Sequence, residues 1–437
     1  MNNGDTAWLL TASALVMLMT PALAFFYGGL VRHKNVLSTI MYSFFTLCLI
    51  SVQWVLWGYS ITFGPDHFGL FGGLEWFGLN GVGAEPNADY AATVPHQTFM
   101  LYQMMLAIIT PALISGAFAE RMKFSAFILF TLLWATLVYD PVAHWVWAVD
   151  GWLRTLGVLD FGGGYAVHIN AGVAALVCAL VLGRRVGMTA APVHPHDVTY
   201  VVLGGGLLWF GWFGFNAGGA VTAGALATSA FLVTNTSAAV ATLAWVALTW
   251  GQKGWPSVSG AAIACVAGLV AITPASGYVD IWAAMLIGLV AGVGCYYAIA
   301  WVKDVFKIDD ALDVFGVHGV GGAIGVLATG LFATVAVNSA AANGLFFGNP
   351  SQLVVQALAM VVVAAYSGGA TFLILKLVDV LVGLRVSQLQ ETVGLDIALH
   401  GETAYQLVDP PEFGGTGGVV PAPAQSTASS TPVRAGH

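Results

Sequence analysis

Charge is what this sequence most lacks. Of its 437 residues only 8% are Asp, Glu, Lys or Arg, whereas a soluble domain carries about 25%. Hydrophobic residues make up 58%, and the mean hydropathy is +0.83. This composition excludes an ordinary soluble enzyme and describes a polytopic membrane protein. Cysteine is scarce as well. Cys48, Cys178, Cys265 and Cys295 lie in apolar runs without CxxC spacing, so they read as small buried hydrophobes, not disulfides or metal ligands. The net charge of -8 comes mainly from loops, and no nucleic-acid partner is expected. Met1 to Asp5 contain no positive charge, and the apolar run that follows is too long for a signal-peptide core, so the first helix is expected to be retained. The alternating segments of about ten residues that mark a membrane barrel are also missing. What is present is glycine (54) and tryptophan (15), which fit close helix packing and interfacial anchoring.

Apolar runs of about 20 residues give candidate spans at 7–31, 40–62, 98–119, 125–148, 162–182, 198–217, 225–249, 258–274, 281–302, 312–335 and 352–382. Lys and Arg then set the orientation, because cytoplasmic loops are enriched in them. Arg32/Lys34, Arg121/Lys123, Arg184/Arg185, Lys253, Lys303/Lys307 and Lys376/Arg385 follow the odd-numbered spans, while the loop from Phe63 to His96 has four acidic residues and no basic one. Arg154 is the exception. The N-terminus is expected outside and the C-terminus inside. An odd count of eleven, with similar histidine stretches in the fifth and tenth spans, suggests two inverted five-helix repeats (about 7–182 and 198–335) and a long eleventh helix to 383. The stretch 384–409 reads as a partly helical cytoplasmic region. The remainder, 410–437, is rich in Pro, Gly, Ala, Ser and Thr and is expected to be disordered.

The histidine stretches are Asp160-Phe-Gly-Gly-Gly-Tyr-Ala-Val-His168-Ile-Asn170 and Asp313-Val-Phe-Gly-Val-His318-Gly-Val-Gly-Gly322. An ionisable side chain in hydrocarbon is costly and usually faces a bundle interior or cavity, so two in matching settings point to a pathway. Either alone also fits a core histidine bonded to a backbone carbonyl. Asp160 and Asp313 read first as helix caps. The functional alternative for Asp160 is a carboxylate that fixes backbone carbonyls at a cation-receiving mouth. Gly321 and Gly325 fit close helix contact. Trp209-Phe-Gly-Trp-Phe-Gly-Phe215-Asn216-Ala-Gly-Gly219 is explained by an interfacial belt, and Trp147 with Phe215 could also hold a small cation on ring faces.

The sequence resembles the ammonium transporter/Rh family, in particular its ammonium transporter branch. The resemblance rests on Phe26-Tyr-Gly-Gly-Leu-Val-Arg32-His-Lys-Asn35-Val-Leu-Ser38, Gly116-Ala-Phe-Ala-Glu-Arg121, both histidine stretches, Gly211-Trp-Phe-Gly-Phe-Asn-Ala-Gly218 and Gly394-Leu-Asp-Ile-Ala-Leu-His-Gly-Glu402, covering about residues 5 to 407. It implies an eleven-helix protomer with its own pore in a homotrimer of the cell (inner) membrane. It implies His168 and His318 as twin pore histidines, and Trp147 and Phe215 at an outer recruitment site shaped by Asp160. Leu106 stands where similar proteins carry a second gate phenylalanine, and Gly219 where they often carry serine. Gly394, Asp396, His400, Gly401 and Glu402 match a regulatory tail that couples protomers and docks a GlnK-type PII protein.

The expected function is therefore ammonium transport, with no enzymatic activity, cofactor or metal. An aromatic vestibule is expected to bind ammonium and release its proton, and ammonia, with or without that proton, to pass an apolar duct lined by the histidines; potassium cannot shed a proton and is held back by desolvation. The alternatives are an ammonium sensor and a neutral-gas (carbon dioxide) channel of the same fold, and a bis-histidine haem site is the competing chemistry.

Overall fold

The computed structural model describes residues 1–187 and 194–405. Within them ten helices are long and apolar enough to cross a membrane: α1 (Asn3–Leu30), α2 (His33–Phe63), α3 (His96–Phe118), α4 (Phe124–Thr155), α5 (Gly164–Leu182), α6 (Val198–Gly218), α7 (Ala225–Lys253), α9 (Ile281–Val305), α10 (Phe315–Phe332) and α11 (Pro350–Val382). Between α7 and α9 lies α8 (Val258–Ile272), apolar but only 15 residues long. The helices agree with the spans read from the sequence to within a few residues at most ends. α8 stops short of its expected end because Pro274, two residues on, cannot continue it. The polar loop between α2 and α3 forms two small hairpins, Asp66–His67 with Phe71–Gly72 and Pro86–Asn87 with Ala91–Pro95. By contact the chain divides into Met1–Ala404 and Tyr405–His437, and the expected disordered tail at 410–437 lies outside the described residues.

Helix starts follow local chemistry. Asn2, Asp197, Ser257 and Asp280 each accept backbone N–H groups of the first turn of α1, α6, α8 and α9, a contribution of about 1 kcal/mol per cap. α11 runs unbroken for 33 residues, about 50 Å. Its buried positions, Gln352, Gln356, Ala359, Val363, Ser367, Thr371, Ile374 and Val378 with Leu375 beside them, recur mostly every three or four residues, so one stripe packs and the rest faces outward.

Two helices that begin at opposite faces meet at the centre. α5 and α10 cross antiparallel: a Cβ on Gly164 would lie 2.8 Å from Val326, one on Gly322 3.0 Å from His168, and one on Gly172 2.2 Å from the Gly319 nitrogen. Only glycine permits that approach. Gly321 and Gly325 serve α8 in the same way, against Val270 and the Ala271 carbonyl.

Both crossing helices open on a π turn, Gly164–Ile169 and Phe315–Gly319, and each is started by a buried carboxylate. Asp160 accepts Gly163 and Gly164 N–H on Oδ1 (2.8 and 2.6 Å) and Tyr165 N–H on Oδ2 (2.8 Å). The cap of α10 corrects the sequence reading: it is Asp310, whose Oδ2 accepts Phe315 N–H at 2.7 Å, and not Asp313. Asp313 has a left-handed backbone (φ 63°) and pairs with Lys303 at 2.5 Å. The spacing explains the difference, because Asp160 and Asp310 each precede the residue they cap by five positions and a histidine by eight.

The basic residues of one face are tied into a buried network. Glu120 bridges Arg32 and Arg185 at 2.9 Å each, and Arg185 continues to Asp309 at 2.8 Å. Burial alone would raise both acids, but Arg185 outweighs it, with Arg32 assisting at Glu120 and Arg121 at Asp309, and holds them below the usual carboxylate range. Asp310 has the opposite balance. Burial, reinforced by Asp313, pushes it up to about 6. The folded protein therefore binds this proton more tightly than the unfolded chain, whose carboxyl titrates near 4. The resulting stability is present below about pH 4 and is lost as pH rises through about 6. Asp310→Asn, which keeps an acceptor for Phe315, should accordingly gain on wild type by on the order of 2 kcal/mol between pH 4 and pH 6.5. Thermal unfolding of both proteins across that range checks this, and a pH-independent difference would refute it.

Candidate functional site

The site is built where α5 and α10 cross. His168 and His318 are 1% and 3% exposed, and their Nδ1 atoms are 3.2 Å apart, with ring centroids at 5.3 Å. Two nitrogens at that distance share one hydrogen. One ring therefore carries Nδ1–H and leaves Nε2 as an acceptor, while its partner accepts on Nδ1 and carries Nε2–H. The His168 Nε2 atom is buried and has no protein partner. Trp212 and Phe215 lie nearly parallel to the His168 ring, at 5.5 and 6.1 Å, and Trp212 is fixed by its Nε1–H to Thr273 Oγ1 at 2.8 Å. The adjoining cavity is about 20 Å³ and is otherwise lined by apolar and aromatic side chains, among them Leu23, Phe26, Ile109, Leu113 and Leu208. That is room for about one water-sized molecule at a time.

A second cavity, about 320 Å³, opens on the hairpin face and is lined by Leu106, Trp147, Asp160, Phe161 and Gly219, among others. Trp147 donates its Nε1–H to the Asp160 carbonyl at 3.0 Å, and its own carbonyl accepts from Arg154 at 2.6 Å. Four of the five residues singled out for the mouth thus share one cavity. Phe215 lies one layer deeper, on the histidine cavity, where its carbonyl accepts the Tyr102 hydroxyl at 2.5 Å. At Gly219 a Cβ would stand 2.9 Å from the Phe161 carbonyl oxygen and 3.1 Å from that of Asn216. The space a serine would need is occupied by backbone. Gln103, which the sequence reading passed over, also lines the mouth, and its Oε1 is buried without a partner.

On the opposite face the tail segment folds back on the helices. Asp396, 2% exposed, accepts Leu37 and Ser38 N–H at 3.0 and 2.8 Å, so it caps the first α-helical turn of α2 from a distant part of the chain. Asn35 reciprocates by accepting Leu395 N–H at 2.8 Å. Gly394 has φ 115°, and a Cβ there would meet the Lys34 carbonyl at 2.6 Å. Gly401 is left-handed too (φ 69°), the His400 ring stands edge-on to Phe124 at 5.5 Å, and Glu402 is exposed. Glu391, also missed, anchors the segment through Arg385 at 2.7 Å. No cluster of three metal-ligating side chains occurs among the described residues.

Comparison with known proteins identifies the family. Residues 7–405 match the family model described as the Ammonium Transporter Family. An ammonium transporter of Bacillus subtilis is 50% identical over 406 residues, covering 93% of this chain and 99% of that protein. The crystal structure of Saccharomyces cerevisiae Mep2 is similar with a TM-score of 0.83 at 36% identity, covering 89% of this chain and 91% of that one. A structure titled Sensor Amt Protein is similar with a TM-score of 0.83 at 29% identity, covering 91% and 98%. With its multi-pass bundle of apolar helices, this chain belongs to the ammonium transporter family.

Proposed function

We propose that this protein recruits ammonium at the mouth formed by Trp147, Asp160, Leu106 and Gly219, where it gives up a proton, and conducts ammonia past His168 and His318, the proton either returning to the outer solution or crossing separately. The observation that carries the reading is the 3.2 Å contact between the two Nδ1 atoms beside a cavity of about 20 Å³ with otherwise apolar and aromatic walls. The pair offers one free acceptor and one free donor, and ammonia is both a donor and an acceptor. A bare potassium ion gains nothing from the donor and would leave its hydration shell for a nearly apolar duct. At the mouth the Trp147 ring offers a π face to a cation. The Asp160 carboxylate is occupied by three backbone N–H groups, so it acts on the cation through its field and through the carbonyls it positions.

The arrangement of Lys and Arg supports an orientation with the hairpin face outside and the face of Arg32, Arg121 and Arg185 in the cytoplasm. In this reading α5 and α10 belong to inverted repeats, three protomers assemble in the cell membrane, and the segment around Asp396 is the docking region for a PII-type regulator. The cap that Asp396 places on α2 supports a tail able to communicate with the bundle. The protein titled as a sensor has the same overall fold, so binding without flux is the outcome that would turn the reading toward sensing.

Uptake into proteoliposomes tests the function. Wild type should take up methylammonium above protein-free vesicles and exclude potassium. His168→Ala, which removes one partner of a buried hydrogen bond, should lower selective uptake at least about tenfold or admit potassium. An unchanged rate with unchanged exclusion would refute the pore assignment. The mouth gives a second expectation. Gly219→Ser must displace the Phe161 carbonyl, so the half-saturating concentration should rise by about two- to fivefold, a cost of under 1 kcal/mol. A lower half-saturating concentration would mean that the mouth accepts the hydroxyl as an added ligand.

A further inference from the structure

Asp140 is fully buried at the middle of α4, and the conduction path described above does not use it. An acidic residue inside an apolar span is expensive and calls for a partner. Among the described residues no Lys, Arg or His forms an ion pair with it. His144, one turn along, is engaged by the Thr62 carbonyl and Asp66, both at 2.8 Å. The partner of Asp140 is Gln53 of α2, 1% exposed, whose Nε2–H donates to Oδ2 at 2.7 Å. The remaining atoms of the two groups, Asp140 Oδ1 and Gln53 Oε1, are both buried and both lack a donor. The neighbouring Tyr139 hydroxyl donates to neither of these two oxygens.

An ionised Asp140 would leave a whole charge in the bundle, met by a single amide, with two acceptors unsatisfied. One proton removes all three defects. We infer that Gln53 and Asp140 form a proton-binding site in which Asp140 is the neutral acid, its Oδ1–H donated to Gln53 Oε1 while Gln53 Nε2–H is donated to Oδ2. The second amide hydrogen of Gln53 reaches toward Thr136 Oγ1 at 3.4 Å, where Trp57 Nε1–H also donates at 3.0 Å, so the amide is held from both sides.

The site lies between two π turns, Trp54–Gly58 directly after Gln53 and Ala135–Tyr139 directly before Asp140, features that often mark functional positions in helices. It joins α2 to the segment of α4 that ends at Trp147. With Asp140 uncharged, a cation at the mouth meets the carboxylates that line that cavity, Asp89 and Asp160, and the interior of this helix pair adds no further anion to trap it. The inference stands whether or not the pore reading does, because no histidine of the pore takes part.

Infrared spectroscopy of the purified full-length protein reads the site directly. Wild type should show a carbonyl band in the protonated-carboxyl region that shifts in deuterium oxide and is absent in Asp140→Asn. Asparagine reproduces both hydrogen bonds, so this variant should keep native elution in detergent and methylammonium uptake within about twofold of wild type. If Asp140→Asn fails to fold, Gln53→Met provides the test, because loss of the amide acceptor should move the same band to higher frequency. Removal of an ionised-carboxylate band in place of a protonated one, or a protonated region unchanged by both substitutions, would overturn the inference. An uptake loss of about tenfold or more in a folded Asp140→Asn would overturn its placement off the conduction path.

Discussion

The hydrogen bond between the Nδ1 atoms of His168 and His318 depends on how closely two helices can approach. An imidazole reaches only a few ångströms from its backbone, so helices spaced by ordinary side chains would hold the rings apart. At Gly172, Gly319 and Gly322 the backbones close the gap. The approach also exposes main-chain groups in a region without water, where every unpaired N–H is costly. Asp160 and Asp310 resolve this at the two ends by accepting the first free N–H groups of α5 and α10. Glycine contact, carboxylate cap and histidine pair form one device, repeated in opposite directions.

How much of this was legible in the sequence depended on what kind of signal each part left. Apolar runs report directly on membrane spans, so the helices and their approximate ends were readable. His168 and His318 stood out because an ionisable residue in such a run is rare. Asp310 was missed because the eye paired Asp160 with the nearer Asp313; counting eight residues back from each histidine would have found it. Gln53 and Asp140 left no motif at all. They are 87 residues apart, and their relation exists only once α2 and α4 pack. The same holds for Asp396, whose neighbours Leu37 and Ser38 were quoted as a family stretch without any hint that they receive a cap from the tail.

Gly219, where similar proteins often carry serine, shows what the sequence alone leaves out, the backbone around the position. In the folded chain the glycine is what lets the Phe161 carbonyl stand where a side chain would be. A carbonyl is a stronger acceptor than a hydroxyl and has no donor to turn toward a cation, so the exchange need not cost the site an acceptor. Leu106 is different in kind. It is buried and keeps the wall apolar, but it supplies no ring face, so in the proposed mouth Trp147 carries the aromatic contribution.

Charge is distributed in this protein so that each end is polar in its own way and the centre is nearly neutral. On the arginine face, Glu120 and Asp309 pair with Arg32 and Arg185, Arg121 donates to the Asp309 backbone carbonyl, and the tail adds the pair of Glu391 and Arg385. On the hairpin face, the capped Asp160 carboxylate lies in a cavity that Asp89, Arg154 and the Trp147 ring also line. Between them stand two imidazoles sharing one hydrogen and, off to the side, an acid whose only close partner is an amide. In the proposed mechanism the cavity at the histidines presents no fixed charge, so it offers nothing to compensate an ion that gives up its hydration shell. A neutral molecule of the right size, able both to give and to accept one hydrogen bond, loses less on entry than any ion, and this asymmetry is the physical basis for selectivity in the proposed mechanism.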